Sequence, residues 1–329
     1  MSKVCQARLS KPSIQKFNAL LPWPVRIAMV VAVGLSLRGA VLLALYDGWA
    51  VKQKLSRKAP GCSWARVASY YFDQKSFSDL YEAALKSIVV EEQKDPLGLQ
   101  QVTSNRRKFW MKSTEQVSSH GVAYLLAEHD WMNQENPGST VRPGDIVLDC
   151  GAHVGVFTNK ALELGAPRVI SIEPDPINVE CLRRSYREEI AAGQVIVVPK
   201  GVWSREQTIQ LSLGLSPAWN SLVRQVSDDT IEVPVTTIDK LVETLGLPRV
   251  DYIKMDIEGS EREALQGARE TLRRFRPRLM LDSYHRRDDM AVLPPLVRQA
   301  NPQYSMICGP CEPFADDHSL LVPHVTYYQ

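Results

Sequence analysis

The sequence contains no GxGxxG, the fingerprint of a dinucleotide site, and no lysine–hydroxyl pair of the P-loop type. Those two absences remove the commonest phosphate cradles. A second CxxC is missing as well, so the CGPC at 308–311 has no partner with which to complete a zinc site. No internal repeat and no long low-complexity segment is present, which excludes solenoids and disordered scaffolds. The charged residues among 1–26 are all basic, with no acid at all. The formal net charge of +2 decides nothing about nucleic acid, and no nucleic-acid partner is assigned. Cysteines at 5, 62, 150, 181, 308 and 311 make no small disulfide framework. They read as mostly reduced thiols, with CGPC as two loop cysteines.

What is present divides the 329 residues into four parts. Residues 1–24 form a basic leader. Residues 25–49 hold a hydrophobic helix about as long as a hydrocarbon core requires, with Arg38 in its middle. This predicts membrane association through 25–49 and a catalytic domain on the cytoplasmic side. Residues 50–104 read as helical and connective. Residues 105–329 form the main domain, whose lead-in to residue 132, including GVAYLLAEHDWM, reads as strand-rich. Beyond NPGSTVRPGD, short apolar runs alternate with amphipathic helices. That alternation predicts an α/β fold, a mostly parallel sheet with helices on both faces. The two prolines in DMAVLPPLVRQAN are expected to break that helix.

Ligands of such sheets bind beyond the carboxyl ends of the strands. The stretch VLDCGAHVGVF ends a strand at Asp149 and opens a helix through Gly151, Ala152, His153 and Gly155. The next strand ends in Glu173 and Pro174, about 20 residues further on, where an acid is well placed for ribose hydroxyls. A compact loop with an acid in front suits a cationic, phosphate-free nucleoside, and S-adenosylmethionine fits that description. Trp203 is placed to flank the adenine. A second cluster, VDYIKMDIEGSE, puts Lys254, Asp256 and Glu258 on one face of a strand by alternation. Ser260 and Glu263 have capping-box spacing. His285 follows RPRLMLDSY at a strand end, with an ordinary pKa near 6.5 suited to a base. Trp219, Asn220 and Ser221 are placed to cover an acceptor.

These stretches, with VPVTTIDKLVE and RPRLMLD, resemble the FkbM family of S-adenosylmethionine-dependent methyltransferases over about residues 140–285. The resemblance implies a class I (Rossmann-like) seven-stranded methyltransferase sheet. It implies O-methylation of a hydroxyl on a small molecule, glycan or lipid-linked sugar. Asp149, Gly151, Ala152, His153, Gly155, Glu173, Pro174, Trp203 and Glu258 are then the cofactor residues. Asp256, His285 and Lys254 are the catalytic candidates. No metal ligand is assigned, because Glu173, Glu258 and Asp282 are not clearly spaced to join Asp256. His153 departs from the family's usual asparagine. Two other readings stay open: a non-catalytic methyltransferase-like scaffold docked to a membrane partner, and a nicotinamide-dependent oxidoreductase.

Overall fold

The computed structural model describes residues 48–91, 95–104, 107–112, 118–214, 220–315 and 317–329. The basic leader and residues 25–47 lie outside that range, and so does Trp219. Among the described residues no helix is long and apolar enough to cross a membrane. The expected membrane-type helix is therefore no part of the architecture described here, and the membrane-associated localisation built on it is corrected. Residues 48–55, the first described and including Gly48 and Trp49 from the end of that segment, are helical.

The chain then runs α1 (Trp64–Ala68), α2 (Tyr70–Ser87), β1 (Val89–Val90), β2 (Leu99–Thr103), β3 (Lys108–Lys112) and α3 (Ser118–Glu135). Part of the lead-in is thus helical, against the strand-rich expectation. Val122, Ala123, Leu126, Ala127 and Trp131 are all buried, so α3 is covered on more than one side. One side meets α2, where Phe77 packs on Tyr124 and Trp131. Such a run reads ambiguously in sequence, because alternation and helical periodicity both match it.

The catalytic-type layer follows as β4 (Ile146–Cys150), α4 (Val156–Glu163), β5 (Arg168–Ile172), α5 (Pro176–Ser185), α6 (Arg187–Ala191) and β6 (Val195–Val198). A small sheet of β7 (Gly201–Val202), β8 (Gln207–Ser212) and β9 (Thr230–Thr236) is inserted next. Then come α7 (Ile238–Thr244), β10 (Tyr252–Met255), α8 (Glu261–Gln266), α9 (Arg269–Phe275), β11 (Arg278–Asp282), α10 (Asp289–Ala300) and β12 (Met306–Cys308). The hairpin β13 (Cys311–Phe314) and β14 (Asp317–Pro323) precedes the last strand, β15 (Val325–Tyr328). Pro294 and Pro295 sit inside an unbroken α10. Burial of Leu293, Pro294 and Val297 against the core offsets their missing backbone donors.

The main sheet has seven strands in the order β12-β15-β11-β10-β4-β5-β6. Neighbours are parallel except at β15, which runs antiparallel to both β11 and β12. The sheet is mixed, and otherwise parallel as expected. β4 and β10 are buried at every position, as strands covered on both faces must be. Ile170, Leu148, Ile253 and Leu279 form one apolar row across four strands, and their cluster takes in α7–α10. Val169, Val147 and Tyr252 face the other way, toward Phe157 and Met132. From β4 the chain steps outward to β6 and then crosses back to β10. The order reverses between β4 and β10, which opens a crevice at their carboxyl ends.

Cys62 and Cys311 form a disulfide that ties the region before α1 to β13. It is buried among Val67, Tyr70 and Leu321. This corrects the reading of both residues as reduced thiols. Cys311 pairs across the fold and not with its CGPC neighbour Cys308, which stays free, as do Cys150 and Cys181.

Candidate active site at the strand-order switch

The two loops that bound the crevice leave β4 and β10 side by side. Gly151 (φ 76°) and Gly155 (φ 95°) take left-handed backbone, and so does His153 between them (φ 50°). Across the gap Glu258 (φ 53°) and Gly259 (φ 99°) do the same. For a side-chain-bearing residue this conformation costs roughly 1–2 kcal/mol. Two of the four such non-glycine residues described thus face one crevice, where strain of this kind concentrates at functional sites. A Cβ on Gly151 would lie 1.9 Å from the Asp256 carbonyl oxygen. Only glycine lets the two loops approach this closely.

Glu173 closes the end of the neighbouring strand β5. Its Oε2 accepts from the His153 amide at 2.9 Å, and its Oε1 from the Asp175 amide at 2.9 Å and from Asn178 Nδ2 at 3.4 Å. The carboxylate therefore holds the glycine loop and the start of α5 while also lining the crevice. Burial pushes its pKa up to about 7 against the pull of these donors. His153 lines the same space, and its buried Nδ1 has no hydrogen-bond partner. Burial lowers this imidazole to about 4, so it is neutral.

Strand β10 ends at Met255, so the alternation expected through Glu258 stops there. Lys254 lies in register with Asp149 on β4 and turns into the sheet's interior, not the crevice. Its Nζ donates to the Gly151 carbonyl at 2.9 Å and stands 3.6 Å from Asp149 Oδ1 and 3.8 Å from Asp256 Oδ2. Burial alone would lower its pKa, but Asp256 and Asp149 raise it, so it stays charged. Asp149 is fully buried behind the loop, its Oδ2 accepting from Thr158 Oγ1 at 2.7 Å. Lys254 and Asp149 therefore brace the glycine loop from beneath, and neither lines the cavity.

Asp256 and Glu258 do line it, with Gly151, Pro174, Asn220 and Leu125. The space bounded by these residues is about 70 Å³. Ligand clefts usually run to roughly 300–1,000 Å³, so side chains at its rim must part for a nucleoside. Ala152 and Gly155 shape the turn, with the Ala152 amide donating to Ile172 and the Gly155 amide to Ala152. Trp203 is bound to the inserted sheet through Thr236. None of the three is among the lining residues; Val202 takes the place expected of Trp203.

His285 reaches the Asp256 side of the rim. Its Nδ1 meets Glu261 Oε1 at 2.9 Å, and its Nε2 lies 3.6 Å from Asp256 Oδ1 and 3.8 Å from Glu258 Oε2. Burial would lower its pKa, but the three carboxylates outweigh that and raise it to about 10. That lies well above the ordinary value near 6.5 expected from the sequence. Asp256 is in turn held below its ordinary value, Lys254 and His285 outweighing its burial. Burial pushes Glu258 up to about 7, although Arg224 Nη2 pairs with it at 2.5 Å.

Several residues that matter here escaped the sequence reading or make contacts other than those expected. Glu261 orients His285 and also accepts from the Ile257 amide at 3.1 Å. The Ser260–Glu263 capping box does not form: Ser260 Oγ donates to the Ile257 carbonyl, and Glu263 pairs with Arg286. Arg224 sits on an insertion with no motif of its own. Asn220 was placed over the acceptor; its Nδ2 in fact donates to Asp175 Oδ2 at 2.7 Å, while Ser221 Oγ donates to the Glu258 carbonyl at 2.8 Å. Together Asn220 and Ser221 pin the insertion to the loops after β5 and β10.

The strand order, with its reversal between β4 and β10 and an antiparallel strand beside β11, defines a class I methyltransferase-like α/β fold. Residues 149–304 match the family model described as the methyltransferase FkbM domain. Among curated proteins it is similar to the 31-O-demethyl-FK506 methyltransferase FkbM of Streptomyces tacrolimicus, 27% identical over 160 residues. That match covers 40% of this chain and 62% of the relative. It is also similar to the hexuronic acid methyltransferase AglP of Haloferax volcanii, 28% identical over 124 residues, covering 37% of this chain and 49% of the relative. The matches thus span less than two thirds of either relative's length. Among solved structures, the methyltransferase FkbM of Methylobacillus flagellatus aligns with a TM-score of 0.43 and 20% identity, covering 80% of this chain and 62% of that one.

Proposed function

We propose that the chain is an S-adenosylmethionine-dependent methyltransferase acting on a hydroxyl of a small molecule or glycan. One observation carries this reading: Glu173, the strained Gly151–His153 loop and Asp256 line a single crevice at the strand-order switch. The residues fit the cofactor. The Gly151 cradle is one that a Cβ would fill, Glu173 offers a carboxylate for ribose hydroxyls, and His153 has an unpartnered ring nitrogen. The names of the two curated relatives also support it, one specifying an oxygen and the other a sugar acid.

The cofactor supplies, when bound, a methyl group on a good sulfonium leaving group. The protein's part is to hold donor and acceptor in line and dry, worth roughly 7–11 kcal/mol of barrier. Asp256, kept ionised by Lys254 and His285, faces the crevice and takes the acceptor's proton. Lys254 and Asp149 keep the glycine loop in place.

Calorimetric titration with S-adenosylmethionine and with NAD, followed by transfer of labelled methyl into cell extract, tests the reading. Asp256→Asn should lower transfer by about 10²–10⁴ with little change in cofactor affinity. Binding of NAD alone would refute the methyltransferase reading, and unchanged transfer in Asp256→Asn would remove that residue as base.

A further inference from the structure

At the carboxyl ends of β10 and β11, beside the crevice, Asp256, Asp282 and His285 each bring one ligand atom to within 4.8 Å of the others. Asp282 is 1% exposed and its Oδ1 has no hydrogen-bond partner. His285 is 4% exposed, and its Nε2 likewise has none. The nearest carboxylate oxygens to that nitrogen, at 3.6 and 3.8 Å, lie beyond hydrogen-bond reach. A buried polar atom left so costs stability unless something outside the protein satisfies it.

The cations nearby are already claimed. His324 lies between Glu128 and Glu312, at 3.0 Å from each. Arg224 pairs with Glu258, and Lys254 stands between Asp149 and Asp256. Among the described residues no cationic side chain pairs with Asp282. The remaining observation is the orientation of His285. Glu261 engages Nδ1, leaving Nε2 near Asp256 and Glu258, where a bound ion would displace its proton. Histidines that bind metals are commonly held in this way, the second ring nitrogen hydrogen-bonded to a carboxylate.

From this geometry we propose that Asp256, Asp282 and His285 bind one divalent first-row cation. Two carboxylates and one imidazole suit Mn²⁺ or Zn²⁺. Metal–ligand bonds of about 2.0–2.2 Å set ligand atoms roughly 3–4.4 Å apart, so three groups within 4.8 Å of one another close by about an ångström or less each around the ion. Three protein ligands leave coordination positions open, and Asp256 also lines the crevice, so the open side faces the acceptor. There the cation would polarise the acceptor hydroxyl. That use rests on the methyltransferase reading; the binding itself does not.

The test uses the full chain, stripped with chelator and titrated with Mn²⁺, free Mn²⁺ being read by electron paramagnetic resonance, with Zn²⁺ and Mg²⁺ as competitors. One Mn²⁺ per chain is expected. Asp282→Asn and His285→Gln should each weaken binding at least about tenfold. Circular dichroism checks that both variants are folded. Calorimetry on the metal-free chain should show S-adenosylmethionine binding unchanged in Asp282→Asn. Mn²⁺ and Zn²⁺ both remaining free up to about 1 mM, or folded Asp282→Asn binding as tightly as wild type, overturns the metal site alone. Tight metal with no cofactor binding overturns the methyltransferase reading alone.

Discussion

Acidification should loosen S-adenosylmethionine from this site through Glu173. The carboxyl is buried, lines the crevice and has a pKa raised to about 7. Ribose hydroxyls donate to the ionised form, so binding favours that form and is strongest above pH 7. Between about pH 5.5 and 8.5 the ionised fraction grows roughly thirtyfold, and affinity should rise with it by about 2 kcal/mol. Stability of the free protein should move the opposite way. The folded pKa lies above the ordinary 4.5, so this group's contribution is full below 4.5 and is lost as pH rises through 7, roughly 3 kcal/mol in all. Calorimetric titration across that range, beside denaturant melts of the free chain, measures both slopes. Glu173→Gln should flatten both. A level affinity profile in wild type, or an equal slope in Glu173→Gln, would show that the ribose does not meet this carboxylate.

Lys254→Met leaves Asp149 buried without its cation and should cost about 3–5 kcal/mol in urea melts, a loss that a further Asp149→Asn substitution partly restores. An unchanged melt would show that the pair does not brace the glycine loop. Reduction of Cys62–Cys311 reopens a connection of 249 residues and should lower stability by roughly 3–5 kcal/mol, read as a fall in Tm with dithiothreitol that Cys62→Ser reproduces. An identical Tm with and without reductant would refute this.

Several elements of the site were legible because they are local. The turn at Gly151 and Gly155 announces itself by residue type, since left-handed backbone selects glycine. Glu173 was found by its distance from that turn along one β–α–β unit, and the alternation of apolar runs with helices named the sheet. Other expectations failed where distant parts meet. The run 118–135 was ambiguous because its burial is set by α2 and by β2 and β3, not by its own period. His285 was named as a base at its ordinary pKa, because nothing in the sequence shows Glu261, Asp256 and Glu258 converging on it.

The sequence by itself determined the alternation of strands and helices in the main sheet, the glycine turn and the acid at the end of β5, since each depends on neighbours within about 30 residues. Only the tertiary structure decided that Lys254 turns inward to Asp149, that Cys311 pairs with Cys62, and that Asp282 joins Asp256 and His285. Those partners lie far apart in the chain or on different strands. Their charges and bonds are set by burial and by distances of a few ångströms, which exist only once the sheet has closed.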